Sequence, residues 1–117
     1  MTDRDAAADA LAGRIFGAVL ETFDIYAVYI GDRLGYYRAL ATDPLTSTEL
    51  ATRTGTAERY AREWLEQQAV TGILVTDDRV VDALARRYAL PAAHVGPLTD
   101  ALGPSHFAPF VQFVVGC

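Results

Sequence analysis

The fold is decided by residues 46–72, TSTELATRTGTAERYAREWLEQQAVTG, in which two short helical patterns flank a glycine. Thr46 and Glu49 form the capping-box pattern that starts a helix, and Gly55 is a residue suited to end it. The second helix follows at once, with Thr56 as its expected N-cap. Two helices joined by a tight turn that contains glycine predict a helix-turn-helix.

A β-hairpin is predicted directly after the second helix, which we expect to stop at Gly72. Residues 73–76 (ILVT) and 86–90 (RRYAL) have the composition of strands, and Asp77 with Asp78 indicates a turn. Residues 79–85 fit either a loop or one helical turn. A helix-turn-helix followed by a two-stranded ribbon predicts a mainly α, winged helix-turn-helix fold.

The segment before this motif is predicted to be helical over residues 4–40, either as one helix or as two with a bend near Thr22–Asp24 or near Gly31. Its apolar residues fall on two faces, and a helix that is apolar on two sides must be covered on both. We therefore expect a homodimer through this segment, with a small monomer as the alternative. The first face carries Phe16, Leu20, Phe23, Tyr26 or Ala27, Ile30, Leu34 and Tyr37, and the second carries Leu11, Ile15, Ala18, Ile25 and Tyr29.

Three segments follow from these patterns: residues 1–45 for dimerisation, 46–90 for the winged helix, and 91–117 for C-terminal helices. A short helix is expected over residues 92–99, although it contains Pro97. Phe107 and Phe110 lie in a final apolar stretch. With Phe16, Leu20, Phe23, Tyr26 and Ile30, they are our candidates for a dimer interface or for the lining of a substrate pocket.

Composition limits the possible functions. The 117 residues are too few for this fold and a dinucleotide-binding domain together, and no Gly-rich turn follows a predicted strand. One Cys, no apolar signal segment and no run long enough to span a membrane predict a cytoplasmic, soluble protein without a disulfide framework. His94 and His106 are the only histidines, and neither has the partners of a catalytic or metal site. We expect no catalytic, cofactor-binding or metal-binding residue in this chain.

The sequence resembles the N-terminal region of bacterial class I S-adenosylmethionine-dependent methyltransferases over about residues 10–115. The resemblance rests on residues 12–16 (AGRIF), 31–37 (GDRLGYY), 48–51 (TELA) with Gly55, 58–65 (ERYAREWL) with Thr71 and Gly72, and 87–94 (RYALPAAH). It implies a non-catalytic winged-helix domain that mediates dimerisation and covers the substrate pocket. It also implies methyl transfer from S-adenosylmethionine to a small-molecule acceptor by a catalytic domain absent from this chain. The chain would be a fragment or a stand-alone relic of such an enzyme, inactive by itself.

The alternative is a DNA-binding transcriptional regulator, in which Arg59 and Arg62 of the second helix would contact DNA. Six Arg against seven Asp or Glu between residues 46 and 90, and a net charge of −5 for the chain, disfavour nucleic acid as a partner. A third hypothesis is a ligand-binding or chaperone-like partner of a separate catalytic subunit.

Overall fold

The computed structural model describes residues 2–99, which form five helices and one two-stranded sheet. The elements in order are α1 (Asp3–Leu34), α2 (Tyr36–Thr42), α3 (Ser47–Thr54), α4 (Glu58–Val70), β1 (Val75–Thr76), β2 (Tyr88–Ala89) and α5 (Ala92–Thr99). The mainly α, winged helix-turn-helix fold predicted from the sequence is confirmed.

α1 is a single continuous helix of 32 residues, so it is not divided near Thr22–Asp24 or at Gly31. It starts at a capping box in which the Thr2 hydroxyl accepts from the Asp5 amide and the Asp5 carboxylate accepts from the Thr2 amide. It ends at Gly35, whose φ of +77° is left-handed and turns the chain into α2. The helix expected over residues 4–40 therefore breaks at Gly35, whose backbone is left-handed, and not at Gly31.

The helix-turn-helix consists of α3 and α4. The Thr46–Glu49 capping box is present, and Gly55 ends α3 with a φ of +69°, both as predicted. The expected N-cap of α4 is wrong by one residue, because Ala57 holds that position without a side-chain hydrogen bond. The Thr56 hydroxyl instead accepts a hydrogen bond from Tyr36 Oη at 2.9 Å, which ties the turn to α2.

The wing is smaller than the sequence predicted. β1 and β2 are antiparallel with Val75 opposite Ala89 and Thr76 opposite Tyr88. Tyr88 also exchanges two backbone hydrogen bonds with Leu45, of 2.9 and 3.0 Å, so the chain before α3 extends the ribbon. Residues 79–85, left open between loop and helix, are a loop with turns.

The core lies between α2, α3, α4 and the wing. Trp64 packs against both tyrosines of α2, with ring centroids 4.7 Å from Tyr36 and 5.2 Å from Tyr37. α5 forms over the predicted residues and contacts α2. The buried apolar residues are Tyr36, Tyr37, Leu40, Leu45, Leu50, Ala51, Ala61, Trp64, Leu65, Leu74, Tyr88 and Leu90.

Candidate functional site

The first two thirds of α1 lie apart from this core. From Asp3 to Phe23 every residue is exposed except Gly17, which is half-buried. Contact with the core begins further along, where Gln67 Nε2 donates to Asp24 Oδ1 at 2.9 Å and Trp64 Nε1 donates to the Ala27 carbonyl at 2.8 Å. Residues 2–99 thus hold α1 at one end and leave its first two thirds without contact to their core.

The five predicted interface residues that the structure describes are all on this helix and all exposed. Phe16 and Phe23 are 65% and 63% exposed, and Leu20, Tyr26 and Ile30 are 44–48% exposed. Phe107 and Phe110 lie outside the described residues. Ala27 and Tyr37, which the sequence placed on the same face, instead pack into the chain's own core.

Other large apolar side chains extend the same surface, and sequence reasoning had left them out of the interface list. Val19 was missed altogether, although its spacing of three from Phe16 and four from Phe23 is a signal that could have found it. We call the whole set the apolar face of α1. It comprises Leu11, Ile15, Phe16, Val19, Leu20, Phe23, Ile25, Tyr26, Ile30 and Leu34, all exposed.

The charged side chains in the middle of α1 lie on the side opposite the apolar face. Between residues 10 and 32 the charged residues are Arg14, Glu21, Asp24 and Asp32. At about 100° per residue, these four fall within about a quarter of the helix circumference. The remaining surface over this length is uncharged, and contiguous apolar surface on a soluble protein is typical of an interaction site.

The apolar face continues into a groove of about 400 Å³ where α1 meets α4. Trp64 and Tyr36 form its inner wall, and Tyr60, which is 70% exposed, lies at its rim. Ile30 and Leu34 belong to both the groove and the face, so the two are one surface. The other lining residues are Ala27, Glu63 and Gln67.

The outward side of α4 presents two arginines whose charges are compensated within the helix. Arg59 pairs with Glu63 at 3.5 Å, and Arg62 pairs with Glu58 at 3.4 Å, each four residues apart. Helical ion pairs at this spacing are stabilising by only a few tenths of a kcal/mol each. These ion pairs nevertheless place a carboxylate beside Arg59 and beside Arg62, the two cations that the DNA-binding alternative requires.

The arginines of the wing also form ion pairs or hydrogen bonds within the chain. Arg79 contacts Asp77 at 3.0 Å, and its hydrogen bonds lower the pKa of that carboxyl. Arg87 contacts Glu49 at 2.8 Å, and Arg86 donates twice to the Val80 carbonyl. The basic wing expected of a DNA reader is therefore not formed by these side chains.

A second cavity, of about 530 Å³, lies between the end of α4 and the wing. Tyr88 lines it, and the buried Tyr88 hydroxyl has no hydrogen-bond partner among the described residues. Burial raises the pKa of this hydroxyl. Since one ordered water would satisfy such a group, we assign no ligand to this cavity.

Within residues 2–99, no cluster of His, Cys, Asp and Glu side chains could hold a metal ion. His94 Nδ1 donates a hydrogen bond to the Ile73 carbonyl at 2.8 Å, which fastens α5 to the loop before β1. β1 is followed by Asp77 and Asp78, so the described residues do not fit S-adenosylmethionine, whose class I sites place a Gly-rich turn after a strand.

One further property of residues 2–99 concerns membranes: none of their helices combines the length and apolar character that crossing a bilayer requires.

Comparison with solved structures identifies 16 similar chains, among them the following two. PigF with SAH superimposes with a TM-score of 0.70 at 19% identity, covering 98% of this chain and 29% of PigF. The mitomycin 7-O-methyltransferase MmcR gives a TM-score of 0.67 at 28% identity, covering 92% of this chain and 30% of MmcR. The chain thus spans less than a third of the length of either protein.

Comparison with curated protein sequences found no match. Comparison with protein families gives a match at residues 25–100 to the Rv2258c-like winged HTH domain. The match begins where α1 joins the core and includes the helix-turn-helix, the wing and α5. The chain therefore belongs to the family of Rv2258c-like winged HTH domains.

Proposed function

We propose that this chain is the N-terminal, non-catalytic module of an S-adenosylmethionine-dependent methyltransferase of small molecules, and that α1 joins two copies of it. The similarity to 30% of a mitomycin 7-O-methyltransferase supports the first part. The exposed apolar face of α1 carries the second part.

The physical case for a dimer begins with the cost of leaving α1 alone. Most of the stability of a helix in a protein comes from packing of its apolar face and not from helix propensity, and Gly13 and Gly17 weaken the free segment further. Removing a large apolar side chain from water contributes about 1.5–3 kcal/mol. A second copy that covers several of these side chains offsets both the helix-forming cost and the cost of association.

The cofactor and the acceptor bind to the catalytic part of such an enzyme, since the described residues of this chain do not fit the cofactor. The winged-helix module then covers the acceptor pocket from outside, and its groove beside Trp64 supplies apolar surface for that role. The single Cys of the sequence supports a reducing, cytoplasmic setting for the enzyme.

Sedimentation equilibrium at tens of micromolar tests the dimer. We expect a mass of twice 12.7 kDa for the native chain. Phe16→Asp combined with Phe23→Asp should give the monomer mass, because each change places a charge in the apolar face. Arg14→Asp combined with Glu21→Asp is the matched control on the charged side of α1 and should remain dimeric.

Two results would count against the proposed dimer. One is a monomer mass for the native chain, and the other is equal association of the face variant and the control. Circular dichroism on each variant shows whether the core has folded, so a folding defect is not mistaken for lost association.

A further inference from the structure

We propose that the two copies pair through α1 in antiparallel orientation, with Asp9 of each copy opposite Arg33 of the other. This inference rests on the proposed dimer and adds its orientation and register. It follows from the order of residues along one stripe of the helix.

The stripe has the spacing of a coiled-coil seam. Its positions alternate by three and four residues, which is the repeat that keeps one line of side chains facing a partner helix. They are Asp9, Ala12, Phe16, Val19, Phe23, Tyr26, Ile30 and Arg33, and all are exposed. The interior of the seam is apolar, whereas its two ends carry opposite charges.

The charged ends select the orientation. Asp9 and Arg33 form no ion pair with another described residue. A parallel pair places Asp9 beside Asp9 and Arg33 beside Arg33, while an antiparallel pair places each beside its opposite. Antiparallel helices also bring unlike ends of their macrodipoles together.

Side-chain size agrees with the same register. If Asp9 lies opposite Arg33, Ala12 lies opposite Ile30, Phe16 opposite Tyr26, and Val19 opposite Phe23. The smallest residue of the seam then meets an aliphatic side chain, and Val19 meets a ring. A parallel pair would place Ala12 opposite Ala12 and leave a gap, which costs packing energy.

The groove beside the core supplies an independent argument. In the antiparallel pair, the free end of α1 from one copy runs past Ile30 and Leu34 of the other, which line that groove. Each unsupported segment is then held against a folded core. In a parallel pair the two free segments contact only each other, and both grooves stay open to water.

Cysteine cross-linking tests the orientation. Ala12→Cys and Ile30→Cys are made separately in a Cys117→Ser background, and each is treated with a short bismaleimide alone and in an equal mixture. We expect cross-linked dimers in the mixture and little in either variant alone. In the proposed register, identical positions are 18 residues apart along the seam, or about 27 Å. Arg14→Cys, on the charged side of α1, is the control that should not cross-link.

Sedimentation of the same samples separates the two proposals. A dimer in which Ala12→Cys links to itself overturns the antiparallel orientation and leaves the proposed dimer standing. A dimer in which no pair links overturns the register in the same way. A monomer overturns both proposals.

Charge reversal gives a second readout. Asp9→Arg and Arg33→Asp should each weaken dimerisation about two- to thirtyfold, the size expected for the two exposed ion pairs that each change removes from the dimer. The double variant should recover the native dissociation constant. Additive weakening in the double variant contradicts the Asp9–Arg33 pairing.

Discussion

Gly31 determines how closely α1 approaches the core. It is the one buried residue of that helix, and a Cβ at this position would overlap the rings of Trp64 and Tyr37. Rings inside a packed core have no free space to move into. In the sequence, Gly31 suggested a weak point in the helix, and its packing role depends on Tyr37 of the next helix and on Trp64 of α4.

We predict that Gly31→Ala lowers the free energy of unfolding by about 1–3 kcal/mol, as overpacking does. Urea unfolding followed by Trp64 fluorescence measures it. Gly17→Ala is the control, because a Cβ there meets nothing within 4 Å, and it should be neutral or stabilising by up to about 1 kcal/mol. Equal stability of the two variants would refute the close-approach argument.

Glu49 contributes stability that depends on pH. Hydrogen bonds from Thr46, chiefly from its backbone amide, hold the pKa of the Glu49 carboxyl below its ordinary 4.5, and Arg87 adds to this effect. A carboxyl whose pKa is lowered by folding stabilises the protein above its ordinary pKa. That contribution is lost as the pH falls through the lowered value.

We therefore predict that Glu49→Ala destabilises the protein at pH 7 and that its difference from the native chain shrinks below pH 4.5. Thermal unfolding across pH measures this difference. The control is Glu66→Ala, which removes an exposed carboxylate of α4 that caps no helix. A pH-independent difference for Glu49→Ala would exclude this role.

At the scale of elements, α4 occupies the place of a DNA-reading helix without presenting free cations. Arg59 and Arg62 pair with acids of their own helix, and the chain carries a charge of −5. We predict no salt-sensitive binding to random duplex DNA at low salt, measured by fluorescence anisotropy. Binding that disappears in the Arg59→Ala, Arg62→Ala double variant would instead favour the regulator.

Most helices could be predicted from signals in neighbouring residues of the sequence. The Thr46–Glu49 capping box, Gly55 and the span of α5 were predicted correctly, because each depends on neighbouring residues. The N-cap of α4 was misplaced, since the Thr56 hydroxyl is engaged by Tyr36, 20 residues earlier. The wing strands came out shorter than predicted because β propensity does not report which residues find a pairing partner.

At the scale of the whole molecule, the chain accounts for less than a third of MmcR. We predict that it does not bind S-adenosylmethionine by itself, because its wing lacks the Gly-rich turn such a cofactor requires. Titration calorimetry on the folded 117-residue chain should show no binding heat. Micromolar affinity would contradict the assignment of the cofactor to another part of the enzyme.

The sequence by itself determined the helix-turn-helix, the wing, and the abundance of apolar residues on α1, because caps, turns and periodicity are properties of neighbouring residues. It could not divide those apolar residues between the chain's own core and a partner. The tertiary structure decided that Ala27 and Tyr37 pack inward while Phe16 and Phe23 remain exposed. The physical reason is that the core contacts only the last third of α1, which is about 48 Å long. The local sequence of α1 does not show where that contact ends.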